Sequence, residues 1–233
     1  MFTVDPKIFE AHPNLRVAVI HAQGCSNMED ASAQEARERL SRLTLSLQEK
    51  LQGLSFEEYV PITCWRQAYK KFGATPKKHL CSLENLYKSV AQKGEIRSIN
   101  KLVDIYNMVS LQHGFTMGAD DLSKIAGRIT LGYASGQLPF TPLGSTESSF
   151  PSKGEVVYAD EQKVLCRRWN WRECEESKLG TETQDVLFYI EDLWASDASL
   201  LEKAVTHLVE LLEELAGCTS ITHAILTASS STS

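Results

Sequence analysis

The sequence contains no apolar run that approaches the roughly 20 residues a membrane-spanning helix needs. Its N-terminus, MFTVDP, lacks the basic and then apolar layout of a secretory signal peptide. Hydrophobic residues make up 42% of the chain, which is ordinary for a globular protein and is enough for a sizeable core. We therefore expect a cytoplasmic protein with no membrane partner.

Closely spaced cysteine pairs are also missing. The six cysteines are spread along the chain without a C-x-x-C pair, at Cys25, Cys64, Cys81, Cys166, Cys174 and Cys218. This spacing indicates neither a zinc site nor a disulfide framework. We expect most of these cysteines to be small, buried thiols in a reducing compartment, and we expect no metal.

The signatures of several enzyme classes are absent. The chain has no phosphate-binding G-x-x-x-x-G-K-[ST] loop, no strand-coupled G-x-G-x-x-G, no G-x-S-x-G elbow and no H-E-x-x-H. Its six histidines have no acid at ligand spacing, and we expect them to be structural or exposed. Nucleotide hydrolysis, dinucleotide redox chemistry and serine or zinc hydrolysis lack their usual signatures, and no cofactor is predicted.

Basic residues are outnumbered by acidic ones overall but are locally concentrated. The formal net charge of -6 argues against a general nucleic-acid binder, yet residues 65–101 contain nine basic residues and two acids. This excess indicates either a solvated helix face or an electrostatic footprint for a polyanion. The lysines proposed for RNA contact are Lys70, Lys71, Lys77 and Lys78.

Hydrophobic periodicity predicts a mixture of helices and strands. Helices are expected over about 30–51, 61–72, 82–93, 98–114 and 198–215. Strands are expected over 15–22, 128–134, 138–142, 155–158, 163–172, 186–193 and 220–227, with residues 160–162 closing a hairpin. No linker divides the chain, so we predict one α+β domain over 1–228 and a disordered Ser/Thr tail over 229–233.

Two polar patterns stand out. Read as a strand, the stretch VLCRRWNWRE (164–173) puts Trp169 and Trp171 on one face and Arg168, Asn170 and Arg172 on the other. The tryptophans are typical of core, and the polar face is either solvated or holds a phosphate or carboxylate. On the helix near residue 100, Asn100, Asp104 and Asn107 share one stripe, which is inert if exposed and needs hydrogen-bond partners if buried.

Several of these segments resemble a known family. Residues 102–107 (LVDIYN) and 119–124 (ADDLSK) are similar to the helix and loop of the B3/B4 editing domain in the beta subunit of bacterial phenylalanyl-tRNA synthetase. The W-x-x-x-Y-x-x-F-G stretch from Trp65 to Gly73 and the R-W-N-W-R-E stretch resemble the freestanding proteins of that family. The resemblance extends from Phe2 to about Thr227 and implies one domain with helices packed on a mainly antiparallel sheet.

The resemblance also implies an activity and a site. The family's editing domain removes a wrong amino acid from the 3′ end of tRNA by cleaving the aminoacyl ester, so the expected partner is tRNA or aminoacyl-tRNA. By position, the catalytic candidates are Asn107 and Glu191, and the substrate-binding candidates are Tyr106, Gly118, Arg168, Asn170 and Arg172. Gly118 stands where the family has a pocket histidine, and the strand at 168–173 stands where it has small residues.

Three functions remain open at this point. The first is an aminoacyl-tRNA deacylase that edits in trans. The second is a non-catalytic module that binds tRNA or an amino-acid-like ligand. The third is a protein-interaction domain that uses the amphipathic last helix, whose apolar stripe is more typical of core.

Overall fold

The computed structural model describes residues 2–229, and this range contains nine strands and six α-helices. In chain order they are β1 (Phe2–Val4), α1 (Pro6–Ala11), β2 (Arg16–Gln23), α2 (Ala31–Gln52), α3 (Val60–Lys71), α4 (Ser82–Lys93), α5 (Lys101–His113), β3 (Thr116–Asp121), β4 (Ile129–Tyr133), β5 (Val156–Ala159), β6 (Val164–Arg167), β7 (Arg172–Glu173), β8 (Val186–Asp192), α6 (Ala198–Ala216) and β9 (Ser220–Leu226). The tail expected at 229–233 lies outside the described residues except for Ser229.

The strands form two sheets. One has the order β1-β4-β5-β6-β7 and the other the order β3-β8-β2-β9. Strand β1 runs parallel to β4, and every other pairing between these strands is antiparallel. The predicted α+β class with mainly antiparallel pairing is confirmed, with two sheets in place of one.

Strand β8 lies at the centre of the molecule. All seven of its residues are buried, as expected for a strand covered on both faces. Helix α6 packs against β8 and its neighbour β2, and the ring of Tyr189 meets Tyr158 of the other sheet at 4.8 Å. The apolar stripe of α6 is therefore core, with Leu201, Leu208 and Leu212 fully buried.

The helices α2, α4 and α5 pack against one another, and α5 also contacts β3 and α6. Local capping fixes where α2 and α5 begin, because Asp30 accepts a hydrogen bond from the Ala33 amide and Asn100 accepts one from the Val103 amide. The buried Lys101 ammonium lies 3.0 Å from the Asp30 carboxylate and so ties the two helix starts together.

The single strand predicted over 163–172 is wrong, because this segment is a hairpin. Strand β6 ends at Arg167, and the chain turns back through Arg168 and Trp169, whose φ angles are 47° and 68°, to form β7. Glu155 stabilises the turn: its carboxylate accepts two hydrogen bonds from the Arg167 guanidinium, each 2.8 Å, and one from the Arg168 amide. These tertiary contacts outweigh the local preference for an extended strand.

Two further predictions need correction. Residues 138–142 form isolated bridges at Phe140 and Pro142 in place of a strand, since proline cannot donate to a ladder. Cys25 and Cys218 form a disulfide. Their partners were not evident from spacing because 193 residues separate them, but β2 pairs with β9 and brings the residues beyond the strand ends together.

Candidate functional site

A cavity of about 300 Å³ lies between the two sheets. Strands β3 and β8 line it from one sheet, and β5, β6 and β7 line it from the other. Residues of α4 and α5 and the turn between β6 and β7 complete its wall. Five aromatic side chains face it, from Tyr106, Tyr158, Trp169, Trp171 and Tyr189.

The carboxylate of Glu191 is held by four hydrogen-bond donors. It accepts bonds from the Tyr158 hydroxyl (2.6 Å), the Trp169 indole (2.5 Å), the Asn170 amide (2.7 Å) and the Thr116 hydroxyl (3.1 Å). Burial raises the pKa of Glu191, whereas these donors favour the ionised form and act against that rise. The carboxylate is thus fixed in position at the cavity wall.

The turn between β6 and β7 is anchored by α3. The Trp169 ring meets the Trp65 ring edge-on at 5.0 Å, and the Tyr69 hydroxyl donates to Asn170 Oδ1 at 2.8 Å. Both Trp65 and Tyr69 belong to the W-x-x-x-Y stretch, and both are buried. That stretch therefore holds the turn between β6 and β7 in place through Trp169 and Asn170, which line the cavity.

The two tryptophans of the turn do not share a face. Trp169 is completely buried, whereas Trp171 is half-buried and carries the Arg168 guanidinium over its ring at 4.6 Å. Of the arginines expected to bind substrate, Arg172 lines the cavity and is exposed, whereas Arg168 does not line it and reaches it only through Trp171. Both arginines therefore lie against Trp171, at the edge of the cavity that we call its mouth.

Two more carboxylates line the cavity, and sequence reasoning missed both. Among residues 2–229 nothing donates a hydrogen bond to the Glu173 carboxylate. Burial, and then the charge of Asp120, raise the pKa of Glu173 to about 8. Burial raises the pKa of Asp120 to about 6, against the effect of hydrogen bonds from Ser177 (2.5 Å) and Tyr189 (3.1 Å). The cavity is therefore lined by three carboxyl groups, and burial favours the protonated form of Glu173 and Asp120.

Gly118 lies beneath Glu173. A Cβ atom built on Gly118 would lie 3.6 Å from Glu173 Oε1, which is an ordinary contact distance. The position that the resemblance assigns to a histidine is thus faced by a carboxylate from the opposite sheet. A methyl group at residue 118 would therefore fit beside Glu173.

Helix α5 contributes Tyr106 and Asn107. Tyr106 is buried and Asn107 half-buried, and neither side chain hydrogen-bonds to another of the described residues. The other members of the predicted polar stripe have structural roles, since Asn100 caps the helix and Asp104 accepts bonds from Ser98 and the Ile99 amide. Only Asn107 of that stripe reaches the cavity.

The four lysines proposed for RNA contact are exposed, and none lines the cavity. The Lys71 ammonium donates to the Ala11 carbonyl oxygen at 2.9 Å. Lys77 and Lys78 precede His79, whose ring meets Trp171 at 4.7 Å. The segment carrying these lysines therefore adjoins the mouth.

The described part of the chain contains neither a membrane-spanning helix nor a cluster of metal ligands. Residues 2–229 include no helix with the length and apolar character to cross a membrane. The same residues contain no group of three or more histidine, cysteine or acidic side chains arranged to hold a metal ion.

Comparison with known proteins gives one family. The B3/4 domain family matches residues 64–217. The phenylalanine–tRNA ligase beta subunit of Vibrio cholerae is 39% identical over 92 residues, which are 40% of this chain and 11% of that subunit. The Shewanella oneidensis subunit is 34% identical over 96 residues, 41% of this chain and 12% of its own length.

One solved structure is similar in outline. It is an N-terminal fragment of the phenylalanyl-tRNA synthetase beta subunit from Pyrococcus horikoshii, with a TM-score of 0.45 and 15% sequence identity. The alignment covers 97% of this chain and 50% of the fragment.

Proposed function

Because this chain belongs to the B3/4 domain family, we propose that it binds the aminoacyl end of tRNA and hydrolyses the ester of a mischarged aminoacyl-tRNA in trans. The chain matches only 11% and 12% of the ligase subunits described above, so the activity of the whole ligases is not carried over. The observation that carries the proposal is the cavity with the fixed Glu191 carboxylate and the unengaged Asn107 amide.

Ester hydrolysis needs a positioned water and stabilisation of the charge that develops on the carbonyl oxygen. In our proposal Glu191 accepts a proton from the water as it attacks the carbonyl carbon. Asn107 donates a hydrogen bond to the oxyanion. The bond between the carbonyl carbon and the 3′ oxygen then breaks, and Glu191 passes the proton to the departing 3′ oxygen. Burial supports the role of Glu191, because a raised pKa makes a carboxylate a better base.

The carboxyl groups of the cavity suit the ammonium group of an aminoacyl ester. We assign this group to Glu173, whose carboxyl has no donor among residues 2–229 and which loses its proton when it pairs with the ammonium group. Tyr106, Gly118 and Asn170 form the surrounding substrate contacts in this proposal. At the mouth, Trp171 offers a ring for the terminal base, and Arg168 and Arg172 offer cations for the phosphate beside it.

The lysines at 70, 71, 77 and 78 are proposed to contact RNA beyond the mouth. They are exposed and lie between the end of α3 and His79, close to Trp171. Tyrosine and tryptophan surfaces with nearby cations are typical of sites that hold single-stranded nucleic acid. This proposal places the protein in the cytoplasm, where charged tRNA is used.

A deacylation assay over a panel of mischarged tRNAs tests the enzyme proposal. We expect release of the amino acid from at least one pair, and loss of that release in Asn107→Ala. The matched control is Gln137→Ala, which removes an exposed amide that does not line the cavity. If none of the amino acid–tRNA pairs is hydrolysed faster than in buffer alone, the protein is not a deacylase.

A non-catalytic binding module is the alternative. The four donors around Glu191 favour it, because a carboxylate so fully bonded has little room for a water. Filter binding with tRNA at several salt concentrations separates the two functions. A module without activity would keep a salt-sensitive affinity and leave the ester intact.

A further inference from the structure

A second groove lies beside the cavity and shares part of its wall. Its volume is about 630 Å³, and it shares three lining residues with the cavity, Asn85, Leu86 and Asn107. Residues of α2, the last turns of α4 and the segment 95–98 between α4 and α5 form its remaining walls. A ligand in the cavity and a ligand in the groove would therefore lie on either side of the same three side chains.

The groove carries an excess of positive charge. Arg37, Lys93 and Arg97 line it, against one acid, Glu95. Lys93 and Arg97 are exposed and make no ion pair with residues 2–229, so their charges are available to a ligand. Arg37 is less available, because its guanidinium pairs with Glu29 at 2.5 Å.

The rest of the lining is largely polar and uncharged. Short hydroxyl side chains recur along the walls, from Ser41, Thr44, Ser89 and Ser98. Hydroxyl and amide groups beside cations are the usual contacts of phosphate and ribose in protein–nucleic acid complexes. The cavity beside the groove is lined by the carboxyl groups of Asp120, Glu173 and Glu191, by contrast, and these suit an ammonium group better than a phosphate.

We propose that this groove holds the single-stranded nucleotides that precede the 3′-terminal one, with their phosphates on Lys93 and Arg97, while the aminoacylated terminal nucleotide passes Asn107 into the cavity. The inference rests on the proposed function and names the path by which its substrate enters. It is a different surface from the lysines at 70–78, none of which lines the groove. The change of charge between groove and cavity orients the RNA with its amino acid inward.

Filter binding with aminoacylated tRNA tests this path. In the double variant Lys93→Gln/Arg97→Gln we expect the affinity to fall about tenfold at low salt. The slope of log K against log salt should become shallower by about 0.7 for each phosphate that the variant no longer binds. The matched control is Lys50→Gln/Lys203→Gln, which makes the same charge change at exposed residues that line neither groove nor cavity. An equal fall in both variants, or none in the first, would overturn the proposal.

Two further measurements keep this proposal separate from the proposed function. An aminoacyl-adenosine ester is too short to need the groove, so its hydrolysis should be unchanged in the groove variant. If no ester is hydrolysed by any form, the deacylase is ruled out, while the binding measurement still decides the groove. In competition, single-stranded RNA should displace the tRNA; equal displacement by an acidic peptide would point to a protein partner and contradict the RNA path.

Discussion

Asn170 donates a hydrogen bond from Nδ2 to Oε2 of Glu191 at 2.7 Å, and this bond joins the two sheets across the cavity. The other end of the same amide accepts the Tyr69 hydroxyl at 2.8 Å. A chain of three side chains thus runs from α3 through the turn to the central strand β8. Because each member is buried or half-buried, removing one leaves a partner without its hydrogen bond.

Tyr69→Phe should destabilise the protein by about 1 kcal/mol, because it removes one buried hydrogen bond while the ring keeps its packing. Urea unfolding measures the change in the free energy of unfolding. Tyr133→Phe is the matched control, since this tyrosine is exposed and its hydroxyl has no hydrogen-bond partner among residues 2–229. Equal free energies for the two variants would contradict the role given to Tyr69.

Much of the helical and strand content follows from local pattern. The apolar spacing of α6 and the buried run of β8 determine those elements almost to the residue. The start of α5 at Asn100 likewise reflects local capping chemistry. The strand at 116–121 was not predicted, since its polar end (Asp120 and Asp121) is typical of a loop.

The turn at Arg168 and Trp169 is harder to predict. Both residues adopt positive φ without glycine, and the cost is offset by burial of Trp169 and by the hydrogen bonds that Arg167 and Arg168 donate to Glu155. Glu155 lies just before β5 and outside residues 164–173, so the sequence of that segment alone does not predict the turn. The same holds for the cavity: Asp120 and Glu173 meet only because two sheets face each other.

The disulfide between Cys25 and Cys218 should be detectable by its effect on stability. It closes a loop of 193 residues, and such long-range links stabilise a protein by about 2–4 kcal/mol. Cys218→Ser should therefore lower the melting temperature in the absence of reductant and make it insensitive to reductant. Cys64→Ser, at a free half-buried cysteine, serves as control. A melting temperature of the unaltered protein that reductant leaves unchanged would contradict the link.

Glu191→Gln should affect both stability and turnover. The glutamine amide would present a donor where four donors already converge, so at least one of them loses its acceptor, at a cost of about 1–3 kcal/mol. If Glu191 is the general base, the rate of ester cleavage should fall by about 100-fold or more. Rates are compared at a temperature where unfolding curves show both forms folded. A folded variant with an unchanged rate would exclude Glu191 as the base.

Glu173 gives the stability a specific dependence on pH. Its pKa is about 8 in the folded protein and 4.5 as the ordinary value, so the folded state holds a proton that the unfolded state releases between those values. The contribution of the Glu173 carboxyl to the free energy of unfolding is therefore fully present below about pH 4.5 and is lost as pH rises towards 8. Glu173→Gln keeps the shape and removes the titration, so we expect the variant to be more stable than the unaltered protein at pH 9, by about 3 kcal/mol.

Asp120, with a pKa of about 6, also makes the free energy of unfolding depend on pH, but at lower pH and in both proteins. The difference between the two proteins therefore reports on Glu173. Urea unfolding at pH 5, 7 and 9 measures the difference between the two forms, which should grow as pH rises. The control is Glu175→Gln, at a side chain that does not line the cavity and whose pKa is lowered by Lys178. A difference that shrinks or stays constant as pH rises would show that the Glu173 carboxyl is already ionised in the folded protein. Glu173 would then pair with the ammonium group of the substrate without first losing a proton.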